Sequence, residues 1–217
     1  MRVVVRAVSE LCVTVGAVLL LFAVYVLFWT GVRADAEMEH QVDLLHRQWR
    51  KEPVAQEPAP YAPGKPFAIM YIPRFGFTWN KPVLEGTGTG TLKKGLGHYA
   101  ETTRLGQPGN FAVAGHRRTY GDPFKDFPEL RRGDAVVLTD GTTWFTYRID
   151  KGPYKTVPSD VGVVDPVPRA SGYTRPGRYL TLTTCDPEWG HSHRLIVWAR
   201  LDSTRPAEAG KPEALRR

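Results

Sequence analysis

Cys185 is the residue in this chain of 217 amino acids whose type and position most clearly suggest chemistry. It ends a threonine-rich apolar stretch, YLTLTTC, and the dipeptide Asp186-Pro187 follows it. The other of the two cysteines, Cys12, lies in a long apolar segment near the N-terminus, so Cys185 has no disulfide partner in the rest of the chain. An unpaired cysteine is either a small buried residue or a reactive thiol. The pattern of the stretch is compatible with both interpretations, although the position of Cys185 at its end argues against full burial.

Two further residues stand where predicted strands begin or end, and both could serve a cysteine nucleophile. Arg194 begins the stretch RLIVWARL after a loop, 186–193, that can return the chain antiparallel to the first stretch. Its guanidinium would then lie beside the thiol, where it stabilises a thiolate or a developing oxyanion. His116 ends the stretch FAVAGH and offers a group that transfers protons. Each alone is equally compatible with a turn histidine or a solvated charge, so a catalytic site depends on their proximity.

The region from Phe67 to Asp202 has the pattern of an all-β domain. Short apolar stretches alternate there with Gly, Pro, Asn and Asp clusters, namely FAIMYI, FAVAGH, AVVLTD, WFTYRI, YLTLTTC and RLIVWARL. This length and spacing predict a barrel or a sandwich of strands. In the stretch that ends at Cys185, Leu180 and Leu182 share one face of the strand, and Thr183 shares the other face with the cysteine.

An uncharged segment, Leu11–Val32, is long enough to cross a membrane. As a helix its 22 residues would extend about 33 Å, against a hydrocarbon core of ~30 Å. Arg2 and Arg6 precede it, which predicts a cytoplasmic N-terminus and an exported remainder. The tripeptide Ala34-Asp35-Ala36 would also suit cleavage of a signal peptide, but the apolar region of such a peptide is only about 7–15 residues long. The length therefore favours an uncleaved anchor.

These features divide the chain into five segments. Residues 1–10 are expected in the cytoplasm and residues 11–32 in the membrane. Residues 33–66 form a linker that is first helical and then proline-rich, residues 67–202 form the folded domain, and residues 203–217 form a disordered tail.

Composition excludes several classes of protein. With 42% hydrophobic and 11% aromatic residues the chain can bury a core, and two cysteines are too few for a disulfide-rich module. The net charge of +7 suggests an anionic partner, but an outward-facing domain without a basic helical stripe is not expected to bind nucleic acid. A non-catalytic, membrane-anchored β-domain that binds cell-wall polymers is the alternative that this charge leaves open.

The sequence around the three candidate residues resembles that of the sortases, the membrane-anchored cysteine transpeptidases of Gram-positive surfaces. The resemblance extends from Phe67 to Leu201, and it is carried by AGHRRTYGDPF around His116 and TLTTCDPEWGHSHR around Cys185 and Arg194. Further shared stretches are YIPRFG, PVLEGTG and LKKGLGHY. The forms GHR-TYG-PF and GLGHY are most similar to class E, the housekeeping type of high-GC actinobacteria.

The resemblance implies a fold, an activity and a set of site residues. The fold would be a closed sortase-type β-barrel of about eight strands with short helices, behind one transmembrane helix. Cys185 would attack the Thr–Gly amide of an LPXTG-like sorting signal, LAXTG-like for class E, and form a thioester. His116 would protonate the departing amine, and Arg194 would hold the substrate and assist the oxyanion. Thr184 and Tyr99 would bind substrate, Tyr99 at the second position of the signal.

The implied partners are surface proteins with a C-terminal sorting signal, an amine of a cell-wall peptide and the cell membrane. No cofactor is expected. Some sortases use calcium, which needs clustered oxygen ligands, but Glu101, Asp140 and Asp150 are too scattered in the sequence to indicate a metal site.

Two other types of site fit the sequence less well. Cys185, His116, His191 and His193 offer nitrogen and sulfur ligands for zinc, but the spacing C-x5-H-x-H is not a usual structural zinc pattern. An L,D-transpeptidase would carry its cysteine in a Ser-x-Gly-Cys-like context, which is absent around Cys185.

Overall fold

The computed structural model describes residues 1–51 and 60–216. An α-helix, α1, runs without interruption from Arg2 to Lys51. Within the described residues it contains one segment, Arg2–Tyr25, that is long and apolar enough to span a membrane, and none of that segment is buried. The prediction that the helix continues beyond the apolar segment is confirmed. Its distal part carries a buried stripe of Ala34, Met38 and Leu45 at helical spacing, which packs against the domain that follows.

The domain is a closed barrel of eight strands in the order β1-β2-β3-β4-β7-β8-β6-β5. The strands are β1 (Pro66–Tyr71), β2 (Asn80–Glu85), β3 (Leu96–His98), β4 (Gly109–Ala114), β5 (Ala135–Thr139), β6 (Thr143–Thr156), β7 (Arg178–Asp186) and β8 (His193–Pro206). The pairs β2–β3 and β4–β7 are parallel, and the other neighbours are antiparallel. A short helix, α2 (Thr89–Leu92), precedes β3. The expected all-β barrel is confirmed.

Two strands, β2 and β3, did not stand out as apolar stretches in the sequence. The sequence of β2, NKPVLE, contains Pro82, which cannot donate to a strand ladder, and β3 has only three residues. Both strands are held by pairing with neighbouring strands, and these pairings cannot be predicted from the local sequence.

The barrel interior is filled by aliphatic and aromatic side chains from all eight strands and from the loops between them. Phe111, Leu180, Leu182 and Val197 lie in this core with no solvent exposure. Leu180 and Leu182 therefore face inward, as their spacing predicts, and the alternate residues of β7 face outward. This alternation brings Cys185 to the outer face of the sheet at the end of β7.

The expectation of a disordered tail from Ser203 is wrong. Strand β8 extends to Pro206, which pairs with Thr143 because β6 is long enough to continue the ladder. Beyond it, Ala214 and Leu215 pack against a cluster of Ala135, Val137 and Trp144 on the outer face of β5 and β6.

The proline-rich spacer is described only in its last part, since Pro53 and Pro58 lie outside the described residues. From Pro60 onward the chain is attached to the barrel: the ring of Tyr61 stacks on Phe67 at 3.7 Å, and the Gly64 amide donates to the Glu85 carbonyl at 2.8 Å.

Candidate functional site

Cys185 and Arg194 are brought together by the pairing of β7 with β8. The two residues lie directly opposite one another in this antiparallel ladder. Residues in such a position project their side chains from the same face of the sheet. Cys185 is partly exposed there. The Nη1 atom of Arg194 donates to the carbonyls of His191 and His193 at 3.0 and 2.9 Å, which holds the guanidinium against the β7–β8 loop.

His116 reaches the same place because β4 runs parallel to β7. Ala114, the last residue of β4, pairs with Thr183, and the next amide, of Gly115, donates to the Thr183 carbonyl at 3.1 Å. The residue that follows therefore lies beside the end of β7. His116 and Cys185 line one cavity of about 220 Å³. The other lining residues come from the loop after His116 and from the β7–β8 loop: Arg117, Arg118, Thr119, Glu188, Trp189, Gly190 and His191.

The imidazole of His116 is in an environment that disfavours its charged form. Burial lowers the pKa of His116 below its ordinary value, and the nearby charge of Lys93 lowers it further. The ring of Tyr120 lies 5.1 Å from the imidazole, and Lys93 Nζ lies 5.2 Å from the Tyr120 ring. The Nε2 atom of His116 is buried and forms no hydrogen bond within the described part of the chain. The nitrogen thus has no partner that fixes its proton within the described residues, and the His116 side chain lines the same cavity as Cys185.

Thr184 does not have the environment expected of a substrate-binding residue. Its side chain is buried inside the barrel, and its hydroxyl donates to the Gly115 carbonyl at 2.8 Å. This bond ties the residue before Cys185 to the residue before His116. The side chain of Thr184 thus fixes the two strand ends that carry Cys185 and His116, and the contact of Thr184 with substrate stays a prediction.

Tyr99 lies on the Arg194 side of the site. Its hydroxyl is 3.1 Å from the hydroxyl of Thr183, two residues before Cys185 on the same face of β7. Tyr99, Thr183 and Arg194 line a second cavity of about 140 Å³. The other lining residues are mostly apolar and come from the β3–β4 loop, the end of β6, the β6–β7 connection and β8: Glu101, Thr156, Val157, Pro158, Asp160, Val161, Val163, Val164 and Ile196. The three candidate residues are thus flanked by two cavities, one beside His116 and one beside Arg194.

Asp186 is a structural member of the site that the sequence analysis did not single out. Its carboxylate accepts from Lys155 Nζ at 2.7 Å and from Arg117 Nη1 at 2.5 Å. The hydrogen bond from Lys155, followed by that from Arg117, lowers the pKa of Asp186. One carboxylate thus joins the end of β7, strand β6 and the loop after His116. The only signal in the sequence was its position directly after the cysteine.

A metal site receives no support from the geometry. In residues 1–51 and 60–216 no three His, Cys, Asp or Glu side chains are grouped so that they could hold a metal ion.

Comparisons with known proteins show the family of this domain. The family model for the sortase domain matches residues 70–202. Sortase SrtE1 of Streptomyces coelicolor is 40% identical over 217 residues, which cover 97% of this chain and 60% of that protein. This chain thus spans less than two thirds of the length of that relative.

Two solved structures are similar over the barrel. The structure of sortase E from Streptomyces avermitilis is 82% identical, with a TM-score of 0.69, and the match covers 72% of this chain and 100% of that one. The crystal structure of sortase E1 from Streptomyces coelicolor with a tripeptide in its active site is 40% identical, with a TM-score of 0.67, over 72% of this chain and 99% of that one. The family model matches residues 70–202, which is more than half of the chain, and this chain is therefore a member of the sortase family.

Proposed function

We propose that the chain is a cysteine transpeptidase that cleaves a sorting signal between Thr and Gly and transfers the protein to a cell-wall amine. The observation that carries this proposal is the position of Cys185, which lies directly opposite Arg194 and lines a cavity with His116. Membership of the sortase family supports the same activity.

The first half of the reaction forms the acyl-enzyme. The Cys185 thiolate attacks the carbonyl carbon of the Thr–Gly bond, and a C–S bond forms as the carbonyl oxygen becomes an oxyanion. Arg194 stabilises this developing charge. When the oxyanion collapses, the C–N bond breaks, and the imidazolium of His116 donates its proton to the departing glycine nitrogen. The products are a thioester on Cys185 and the free amine of the glycine-side fragment.

The second half returns the enzyme to its starting state. An amine of a cell-wall peptide attacks the thioester carbonyl, and neutral His116 accepts the proton that the amine loses. The new C–N bond forms as the C–S bond breaks, so Cys185 leaves as the thiolate beside a reprotonated imidazolium. The acyl group is transferred without a net change in the protonation of the enzyme.

The substrates would be surface proteins with a C-terminal LAXTG- or LPXTG-like signal. The cavity lined by Tyr99, Thr183 and Arg194 is a suitable place for the signal. It combines mostly apolar lining residues with the hydroxyl of Tyr99 and the guanidinium of Arg194, which can form hydrogen bonds with a peptide. Tyr99 is the proposed residue for the second position of the signal. The tripeptide in the active site of sortase E1 from Streptomyces coelicolor supports binding of a short peptide to this kind of barrel.

The enzyme would act at the outer surface of the membrane. The helix α1 carries an apolar segment of spanning length, and Arg2 and Arg6 at its start favour a cytoplasmic N-terminus. A single pass then leaves the barrel outside the cell.

The direct test is incubation of the purified full-length protein with a labelled LAXTG peptide and a peptide amine. We expect release of the glycine-side fragment and formation of an amine-linked product. The Cys185→Ala variant should lose this activity by about 10⁴-fold or more while keeping its circular dichroism spectrum. Thioester formation by that variant would place the nucleophile elsewhere, and binding of wall polymers without cleavage by the wild type would favour the non-catalytic alternative.

A further inference from the structure

The loop that follows His116 has an unusual backbone. Four successive residues have positive φ angles: 81° at Thr119, 51° at Tyr120, 78° at Gly121 and 47° at Asp122. Only glycine adopts this region without cost, and a β-branched residue such as threonine is rare there. Such a conformation persists only where its surroundings hold it.

Contacts within the catalytic domain hold the base and one side of this loop. The Phe124 amide donates to the His116 carbonyl at 3.0 Å, so the loop closes directly on the histidine. Tyr120 packs against the His116 ring, and Arg118 donates to Asp122 at 3.2 Å.

The tip of the loop is held from outside the barrel, by α1. A methyl group built on Gly121 would lie 2.5 Å from Met38 Cε and 2.6 Å from Asp35 Oδ1, so these side chains are in close contact with the glycine. Met38 is 1% exposed. Asp35 is fixed in turn by an ion pair with Lys81 at 3.1 Å. The helix that carries the membrane segment therefore touches the loop that covers the histidine.

We propose that Met38 and Asp35 are positioning residues, through which the anchor helix holds the loop 117–123 and thereby the imidazole of His116. This inference rests on the proposed function only for the catalytic role of His116. The anchor helix would then be part of the scaffold of the active site as well as an attachment to the membrane.

The pKa of His116 would report on the contact between α1 and the loop. Its imidazole is faced by Lys93 from the segment before β3, by Arg117, Arg118 and Tyr120 from its own loop, and by Cys185, Glu188 and His191 from β7 and the β7–β8 loop. If the loop relaxes, the Tyr120 ring moves away and the imidazole gains solvent. Because burial is the main cause of its lowered pKa, the pKa of His116 then rises towards its ordinary value.

The test compares two full-length variants that each remove one contact between α1 and the barrel. Met38→Ala removes the contact with the loop. Trp49→Ala is the matched control, because its indole packs just as closely on Gly141 in the β5–β6 turn, away from His116. The two readouts are the pKa of His116, from histidine-ring NMR in detergent, and the kinetics of thioester formation.

We expect Met38→Ala to raise the pKa of His116 and to lower kcat for acylation by on the order of tenfold, with KM little changed. The raised pKa alone would increase the fraction of imidazolium, but the loss from the misplaced proton donor outweighs that gain. Met38→Leu should restore both values, and Trp49→Ala should resemble the wild type. Asp35→Ala should change the pKa in the same direction, and it provides the measurement if Met38→Ala does not fold.

The proposal is overturned if the pKa of His116 is the same in Met38→Ala, or in Asp35→Ala where that variant is used, as in the wild type. An equal rise in Trp49→Ala also overturns it, since the cause would then be a general loosening of the domain. The NMR titration needs no substrate, so it gives its answer even if the wild type proves to have no transpeptidase activity.

Discussion

At the scale of single residues, the site is governed by the protonation of one thiol and one imidazole. An ordinary thiol has a pKa of about 8.5 and an ordinary imidazole about 6.5. Burial and Lys93 lower the pKa of His116, which reduces the fraction of imidazolium near neutral pH. The proposed reaction begins from a thiolate–imidazolium pair, so the lowered pKa of the imidazole reduces the share of the protein that can start it.

This coupling predicts a bell-shaped pH dependence of kcat/KM, with its optimum between the two apparent pKa values of the pair. In Lys93→Met a positive charge near the imidazole is lost, so the pKa of His116 rises. The acidic limb of the bell should move to higher pH, and the maximum rate should increase because more enzyme carries the active pair. Peptide cleavage measured across the pH range checks both effects. A rate that rises steadily to high pH would contradict the assignment of the two groups.

At the scale of secondary structure, the important feature is the register between β4, β7 and β8. The parallel pairing of β4 with β7 delivers His116, and the antiparallel pairing of β7 with β8 delivers Arg194. The Thr184 hydroxyl joins β7 to the Gly115 carbonyl at the point where β4 ends. Strand ends that are fixed in this way hold the reacting groups more rigidly than loops alone would.

A substitution in β7 tests this role. Thr184→Val keeps the shape of the side chain but leaves the buried Gly115 carbonyl without its donor, so we expect a loss of about 1–3 kcal/mol in unfolding free energy. The rate of acylation should also fall, because His116 follows that carbonyl directly.

The control for this substitution is Thr181→Val, on the same strand. It removes a buried hydrogen bond to Asn110 at 2.9 Å, farther from His116. We expect a similar loss of stability, measured by urea unfolding, with little change in kcat. Equal effects of the two variants on kcat would show that the Thr184 bond has no particular influence on the site.

At the scale of the whole molecule, the helix α1 would set the distance between the proposed active site and the membrane. The helix is continuous, so Met38 lies about 9 Å and Trp49 about 26 Å beyond Val32, the last residue of the uncharged segment. Met38 contacts the loop next to His116, whereas Trp49 contacts the turn at Gly141. The site is therefore expected close to the lipid headgroups, with the Gly141 turn farther out.

Fluorescence quenching would measure this orientation. In a variant with both native cysteines replaced by alanine, a fluorophore on Thr119→Cys should be quenched strongly by lipids with a nitroxide on the headgroup. A fluorophore on Thr142→Cys, an exposed position in the Gly141 turn, should be quenched weakly. Equal quenching at the two positions would mean that the barrel does not stand along the helix in this orientation.

Local sequence pattern was enough to predict several features of this protein. The uncharged run fixed the apolar helix, and the alternation in YLTLTTC placed Cys185 outside the core, because side chains of a strand point alternately to its two faces. The motifs around His116, Cys185 and Arg194 were sufficient to indicate the family.

Which distant segments meet could be learned from the three-dimensional fold but not from local pattern. Several features of the site depend on contacts between segments that are far apart in the chain. These are the pairing of β4 with β7, the hydrogen bond of Thr184 to Gly115, the approach of Lys93 to His116 and the contact of Met38 with Gly121. The continuation of β8 through Ser203 likewise depended on the length of β6. Local alternation shows which face of a strand is buried, but the choice of partner depends on the packing of the whole barrel.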